Sequence, residues 1–143
     1  MLLQANRLHN FVENPLIDMK VLVLGASLKS DRYSYKAVER LRAAGYETAA
    51  VGMQTGAIGD VEVLTGRPEV PDVDTISLYV GQAHQPEWYD YIFSLKPRRI
   101  IMNPGTENPE LMQMAAERGV ETEMACTLVL LATHQFGGPE KTV

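Results

Sequence analysis

Hydrophobic residues along the chain fall into short continuous runs that alternate with stretches of helical spacing. The first run, residues 21–24, reads Val-Leu-Val-Leu and ends at Gly25. A run of this kind is typical of a strand that is buried on both faces of a parallel sheet. Apolar positions at helical spacing predict a helix over residues 35–45, and a strand follows at residues 47–51. The pattern therefore predicts a strand, helix, strand unit.

The same alternation continues to the end of the chain. Further predicted strands are Asp74–Val80, Arg99–Met102 and Glu121–Ala125, a short irregular strand is Val61–Val63, and further helices are Pro86–Leu95 and Asn108–Gly119. Strands alternating with helices predict an α/β fold. We expect a doubly wound, Rossmann-like parallel sheet of about five strands, in the order 3-2-1-4-5, within a single domain.

Composition places this fold in one soluble domain. The chain has 143 residues, of which 45% are apolar and 22% are charged. We assign the domain to residues 20–143, because residues 1–19 fit no predicted element and are interpreted as an N-terminal extension of unknown role. No signal peptide and no apolar run of about 20 residues, the length that spans a bilayer, is present, so the expected location is cytoplasmic.

Cysteine and histidine usage argues against structural cross-links. Cys126 is the single cysteine and cannot form an internal disulfide, and the three histidines are too far apart in sequence for a metal-binding motif. Cys126 itself follows the last predicted strand. It is either a reactive thiol or a small buried apolar group.

The charge distribution predicts a local anion site on an acidic protein. The net charge of −5 argues against binding nucleic acid or an anionic membrane. Residues 29–42 nevertheless carry five basic and two acidic side chains. This stretch overlaps the loop after the first strand, so its excess of positive charge indicates an anionic ligand there.

Two loops are expected at a crevice in the sheet, which the predicted order places between the first and fourth strands. Residues 25–34 bring backbone N–H groups, hydroxyls and Arg32 to a helix N-terminus, an arrangement that favours phosphate. The alternative is a solvated loop in which Gly25 only makes a turn.

The second loop, residues 103–108, offers polar groups from across the crevice. Pro104 and Gly105 shape its turn. The alternative is that Thr106 or Asn108 only caps the next helix. Tyr79, which ends the third predicted strand beside the second, is either a contact for an adenine ring or an ordinary sheet aromatic.

Several nucleotide motifs are missing. The dinucleotide pattern G-x-G-x-x-G is represented only by Gly25, and the second strand ends at residues 50–54 without an acid, so ordinary NAD binding is disfavoured. The Walker pattern fails because no lysine follows Gly25 at the required spacing. Ser27 lacks the glycine that would follow a hydrolase nucleophile, and no histidine is suitably placed.

Residues 21–27, 31–38 and 103–108, together with Cys126, resemble the small stand-alone CoA-binding domain proteins. These are similar in turn to the nucleotide-binding domain of succinyl-CoA synthetase alpha subunits. The likeness runs from about residue 20 to residue 133. It implies a Rossmann-like CoA-binding fold and coenzyme A, or an acyl-CoA, as the ligand.

The resemblance also implies a set of ligand contacts. It implies that the pyrophosphate is contacted by Gly25, Ser27, Arg32 and Ser34, with Ala26 in the same turn, and that the 3′-phosphate is contacted by Lys36. It implies that the adenosine is bordered by Gly52 and Met53, and that the floor of the pocket is formed by Tyr79 and Val80. The opposite side of the pocket would be lined by Asn103, Gly105 and Glu107, with Pro104 in their turn. The family often has a proline where this chain has Gly52 and Met53. The adenosine contacts are therefore the ones that this departure affects.

The predicted function is a non-catalytic CoA or acyl-CoA binding protein. The synthetase phosphorylates a histidine on a separate domain, for which this chain has no room. A rival is an enzyme on the same scaffold, either a nicotinamide-dependent oxidoreductase or a CoA-thiol enzyme that uses Cys126. A third class is an interaction protein with a vacant pocket, and pairing as a homodimer is left open.

Overall fold

The computed structural model describes residues 19–137. The interpretation of residues 1–19 as an extension therefore falls, apart from Met19, outside the described part of the chain. Met19 is only 9% exposed and packs in the core, directly before the first strand. Of the helices within this range, none is long and apolar enough to cross a membrane.

Strands and helices alternate along most of the chain, but four strands follow one another without a helix between residues 47 and 78. The strands are β1 (Lys20–Ala26), β2 (Glu47–Gly52), β3 (Gly56–Ile58), β4 (Val61–Leu64), β5 (Thr75–Leu78), β6 (Arg99–Met102) and β7 (Glu121–Met124). The α-helices are α1 (Tyr33–Ala43), α2 (Tyr89–Ser94), α3 (Pro109–Glu117) and α4 (Thr127–Ala132), and a 3₁₀ helix, Gln82–Trp88, precedes α2. The α/β class is confirmed.

The sheet corrects the predicted strand number and order. It has seven strands in the order β3-β4-β2-β1-β5-β6-β7. All neighbouring pairs are parallel except β3 and β4, so the sheet is mixed. The sequence interpretation placed the strand near residues 74–80 beside β2. In the structure, β5 instead pairs with β1, with Val21 opposite Thr75.

The reason for this correction lies in the segment after β2. The chain runs from β2 into the antiparallel pair β3 and β4, and β4 then pairs parallel with β2, with Ala50 opposite Val63. The irregular strand predicted at residues 61–63 is thus confirmed as β4, and it occupies the side of β2 that the prediction gave to β5. Only the other side of β1 remains for β5. The point where strand order reverses, and where ligands bind in such sheets, is therefore between β1 and β5.

The core has two layers, one on each face of the sheet. Val21 and Val23 of β1 pack on one face with α1 and α4, while Leu22 and Leu24 pack on the other face with α2 and α3. All four side chains are 0% exposed. The prediction that β1 is buried on both faces is therefore confirmed.

Helix starts follow local chemistry, with one difference from expectation. Asn108 caps α3, since its Oδ1 accepts a hydrogen bond from the Glu110 amide at 3.0 Å. Pro86 was expected to open a helix, but it lies inside the 3₁₀ helix, and α2 starts at Tyr89. The proline has no N–H to donate, so the regular α-helical pattern begins only beyond it.

Gly52 provides a test of how closely β1 and β2 approach at their carboxyl ends. A Cβ atom at Gly52 would overlap the carbonyl oxygen of Ala26, whereas one at Gly81, where φ is −63°, would meet nothing within 4 Å. We expect Gly52→Ala to lower the free energy of unfolding by about 1–3 kcal/mol, as overpacking typically does. Gly81→Ala is the matched control and should change it little. Denaturant unfolding measures the free energy of unfolding of both variants. Equal stability would show that β1 and β2 do not approach each other this closely.

Candidate functional site

The crevice at the carboxyl edge of the sheet is built around Gly25. This glycine has φ of +96°, which glycine adopts readily and other residues rarely do. A Cβ atom placed here would lie 2.9 Å from the carbonyl carbon of Tyr79 and 3.1 Å from the amide nitrogen of Val80. The pairing of β1 with β2 also shifts register between Leu24 and Ala26. The turn after β1 therefore lies directly against the end of β5.

The loop after β1 is held by its own serines. Ser34 Oγ accepts a hydrogen bond from the Ser27 amide, and Ser27 Oγ accepts one from the Lys29 amide, both at 3.1 Å. The Arg32 amide donates to the Lys29 carbonyl at 3.0 Å. Each serine acts as an acceptor in these bonds, so its hydroxyl hydrogen can still be donated to an anion.

The N-terminus of α1 has the features of an anion site. Arg32 occupies the capping position in an extended conformation and makes no side-chain capping bond, and the first turn contains no acidic residue. The first amides of a helix point outward and carry a partial positive charge. Lys36 is half-buried, with its ammonium 5.7 Å from the centre of the exposed Tyr33 ring. Positive charge and N–H donors therefore meet at this end of α1.

Gly52 and Met53 lie at the end of β2, next to this loop. Gly52 is buried opposite Ala26, and Met53 is 88% exposed. Ala26 is itself buried. Since β2 and β1 are neighbours, the residues expected near an adenosine do lie beside those expected near a pyrophosphate.

Tyr79 follows β5 beside β1, which corrects its expected position beside β2. The half-buried residue packs against the core layer to which α1 and α4 contribute. Its hydroxyl has less than 1 Å² exposed and no hydrogen-bond partner within residues 19–137. Burial raises the pKa of Tyr79 to about 12. Val80 packs against the core on the opposite face of the sheet.

Asn103 is fully buried, and its side chain is bonded within the protein. Its Nδ2 donates to Ser77 Oγ at 3.0 Å and to the Leu78 carbonyl at 2.9 Å. Its Oδ1 accepts from the Thr127 amide at 2.8 Å. The side chain thus joins β5 and β6 to the start of α4, and its position in the structure is that of a tie between elements.

The rest of the loop after β6 is partly exposed and is bonded internally, with Thr106 and Asn108 buried. Glu107 Oε1 accepts from the Gly105 amide at 3.0 Å, and Thr106 Oγ1 donates to the Asn103 carbonyl at 2.8 Å. Pro104, Gly105 and Glu107 face solvent. Because β5 separates β6 from β1, this loop lies one strand further from the Gly25 turn than the sequence interpretation implied.

Gln85 is a residue of this site that sequence reasoning missed. It is 0% exposed, and its Nε2 donates to the carbonyls of Val80 and Thr106, both at 2.8 Å. Its Oε1 accepts from Asn108 Nδ2, also at 2.8 Å. Gln85 therefore joins the loops that follow β5 and β6. Its sequence surroundings, a polar stretch before Pro86, carry no signal of this role.

Cys126 is partly buried at the start of α4. The next residue, Thr127, has its hydroxyl 2.8 Å from that of Ser77 on β5. The chain thus returns from β7 at the edge of the sheet toward the crevice. In the part of the chain that the structure describes, no group of three or more metal-ligating side chains is present.

A separate cavity of about 820 Å³ lies outside this crevice. It is bounded by residues 67–72, by side chains of the 3₁₀ helix and α2 that include Tyr91, and by Leu95 just after α2. None of the site residues expected from the sequence lines it. The Arg67 guanidinium stacks 3.7 Å from the centre of the Trp88 ring beside it.

Comparison with known proteins identifies both a family and related folds. The model of a family described as "CoA binding domain" matches residues 19–132. A crystal structure of an uncharacterized protein is 43% identical, with a TM-score of 0.78, and the match covers 81% of this chain and 96% of that one. Comparison with curated proteins finds no match.

Two more distant structures share the fold. One, from Thermus thermophilus, is 18% identical with a TM-score of 0.71, and the match covers 90% of this chain and 96% of that one. The other is a dinucleotide-forming acetyl-coenzyme A synthetase from Ca. Korarchaeum cryptofilum, in complex with phosphate and ADP. It is 16% identical with a TM-score of 0.61, and the match covers 78% of this chain but only 26% of the synthetase.

Removing the Asn103 amide tests its position as a tie. We expect Asn103→Leu to lower the free energy of unfolding by about 3 kcal/mol, because each buried group left unpaired costs about 1–3 kcal/mol. The groups concerned are the Thr127 amide and the Leu78 carbonyl. Glu107→Gln, which keeps an acceptor for the Gly105 amide at an exposed position, is the control. If urea unfolding showed the two variants equally stable, Asn103 would not be a structural tie.

Proposed function

The chain belongs to the CoA-binding domain family, and we propose that it binds coenzyme A or an acyl-CoA with the pyrophosphate at the N-terminus of α1. The observation that carries this proposal is the uncapped first turn of α1 beside Arg32. A pyrophosphate is recognised by N–H donors and guanidinium groups, which offer several charge-assisted hydrogen bonds. The hydroxyls of Ser27 and Ser34 supply further donors in the same loop.

The charges around α1 fit a ligand with more than one phosphate group. Lys29 and Arg32 are exposed in the loop, and Lys36 lies one helical turn further on. Lys36 is the cation proposed for the ribose 3′-phosphate of CoA. A loop with several cations and a helix N-terminus favours such a polyanion over a ligand with a single negative charge.

The end of β2 favours CoA over a nicotinamide dinucleotide. A dinucleotide site holds the free ribose hydroxyls with an acid at this position. Here the strand ends in Gly52 and Met53. A carboxylate there would repel the ribose phosphate of CoA, whereas the small glycine and the exposed methionine leave an uncharged border for the adenosine.

The proposed role is binding without chemistry. Polar side chains after β5 and β6 are bonded to the protein: Gln85 to Val80 and Thr106, and Asn103 to Leu78. These bonds shape the wall of the crevice.

A ligand panel tests the function directly. A ligand that binds the native state raises its apparent stability, so CoA should raise the midpoint of thermal unfolding and NAD should not. The panel contains CoA, acetyl-CoA, NAD and ATP, with calorimetry to measure each affinity. A shift with NAD alone would favour the oxidoreductase, and no shift with any of the four would favour an interaction protein.

Arg32→Ala tests the placement of the pyrophosphate. Loss of one charge-assisted contact should weaken CoA binding by about 1–3 kcal/mol. Arg40→Ala removes the same charge from the exposed face of α1, nearer its C-terminus, and serves as the matched control. Calorimetry should show a weaker affinity for the Arg32 variant only. Unchanged affinity in that variant, or an equal loss in both, would refute this placement.

A further inference from the structure

A chain of buried polar groups runs beneath α4 and ends at Tyr79. Asn103 Nδ2 donates to Ser77 Oγ at 3.0 Å, and Ser77 Oγ lies 2.8 Å from Thr127 Oγ1. Asn103, Ser77 and Thr127 are each 0% exposed. The hydroxyls of Thr127 and Ser77 also lie close enough to Tyr79 Oη to favour its ionisation, against the larger effect of burial.

Three hydroxyl groups meet in this cluster, and the one on Tyr79 makes no hydrogen bond within residues 19–137. Ser77, Thr127 and Tyr79 bring three hydroxyl hydrogens and three oxygens, and the Ser77 oxygen already accepts from Asn103. Tyr79 Oη has less than 1 Å² exposed. An unpaired buried donor costs about 1–3 kcal/mol.

The unpaired hydroxyl belongs to a residue at the crevice. The backbone of Tyr79 contacts the Gly25 turn, and its ring is only partly buried. Since the pKa of Tyr79 is raised to about 12, the hydroxyl keeps its proton at neutral pH and acts as a donor.

We infer that Tyr79 Oη donates a hydrogen bond to a carbonyl oxygen of the pantetheine arm of the bound ligand. This inference rests on the proposed function and adds recognition of the arm to recognition of the nucleotide. The acceptor is a neutral carbonyl because Tyr79 packs against an apolar core that includes Val23 and Ile101. A phosphate oxygen in the same place would bury a charge without a cation, at far greater cost.

Two ligands that differ only in the arm separate this contact from the rest of the site. They are CoA and 3′-phosphoadenosine 5′-diphosphate, which has the same phosphates and base. Tyr79→Phe removes the hydroxyl and keeps the ring. We expect it to weaken CoA binding by about 3- to 10-fold, the range of one neutral hydrogen bond. The affinity for the arm-less ligand should stay unchanged, and the unfolding midpoint of the free protein should not fall.

Tyr91→Phe is the matched control. Its hydroxyl donates to the Pro68 carbonyl at 2.7 Å, on the other face of the sheet. This variant should have a lower unfolding midpoint and unchanged affinity for both ligands. The expected pattern is that Tyr79→Phe loses CoA affinity without a lower unfolding midpoint, whereas Tyr91→Phe has a lower unfolding midpoint without a loss of affinity. This pattern distinguishes a hydroxyl that is unpaired in the free protein from one that is already hydrogen-bonded.

The remaining outcomes would overturn the inference in identifiable ways. An unchanged CoA affinity in Tyr79→Phe, or equal weakening of both ligands, would show that the hydroxyl does not contact the arm. A lower midpoint for Tyr79→Phe would show that the hydroxyl is already paired within the protein. Failure of the wild-type protein to bind either ligand would refute the proposed function itself.

Discussion

The crevice depends on how closely three backbone segments approach at the carboxyl ends of β2, β1 and β5. Gly25 lies against the carbonyl of Tyr79, and Gly52 lies against the carbonyl of Ala26. A side chain at either glycine would push the strand ends apart. This close packing brings the loop after β1, the end of β2 and the backbone of Tyr79 together at one edge of the sheet.

Buried hydrogen bonds then fix the walls of the crevice. Asn103 ties β5 and β6 to α4, and Gln85 ties the loop after β5 to the loop after β6. Such bonds contribute modestly when made, but a buried partner left unpaired is costly. The walls are therefore held in one arrangement before any ligand arrives, which reduces the ordering cost of binding.

In the proposed complex, charged groups of the protein recognise one part of the ligand, and an uncharged hydroxyl recognises another part. The α1 N-terminus with Arg32 provides donors and positive charge for phosphates in a region open to solvent. The Tyr79 hydroxyl lies under α4, where only an uncharged acceptor could be buried at acceptable cost. This division follows the chemistry of CoA, which joins a charged nucleotide to an uncharged arm.

The sequence by itself determined most of the elements, although not β3 or α4, and it predicted an anionic ligand at the first loop. Continuous apolar runs gave β1 and β6, Asn108 and Pro109 gave the start of α3, and the basic stretch near Arg32 indicated an anion. These signals are local, because burial pattern, capping and charge are properties of neighbouring residues.

Only the tertiary structure decided which strands are neighbours and which polar groups are paired. Residues 61–64 pair with β2, so β5 pairs with β1 and borders the crevice in the place that the sequence interpretation gave to β6. The burial of Asn103, the bridging role of Gln85 and the unpaired hydroxyl of Tyr79 likewise depend on partners 20 or more positions away, or on their absence. Strand pairing and side-chain partners at such separations are set by packing between elements. They cannot be predicted from the pattern of neighbouring residues in the sequence.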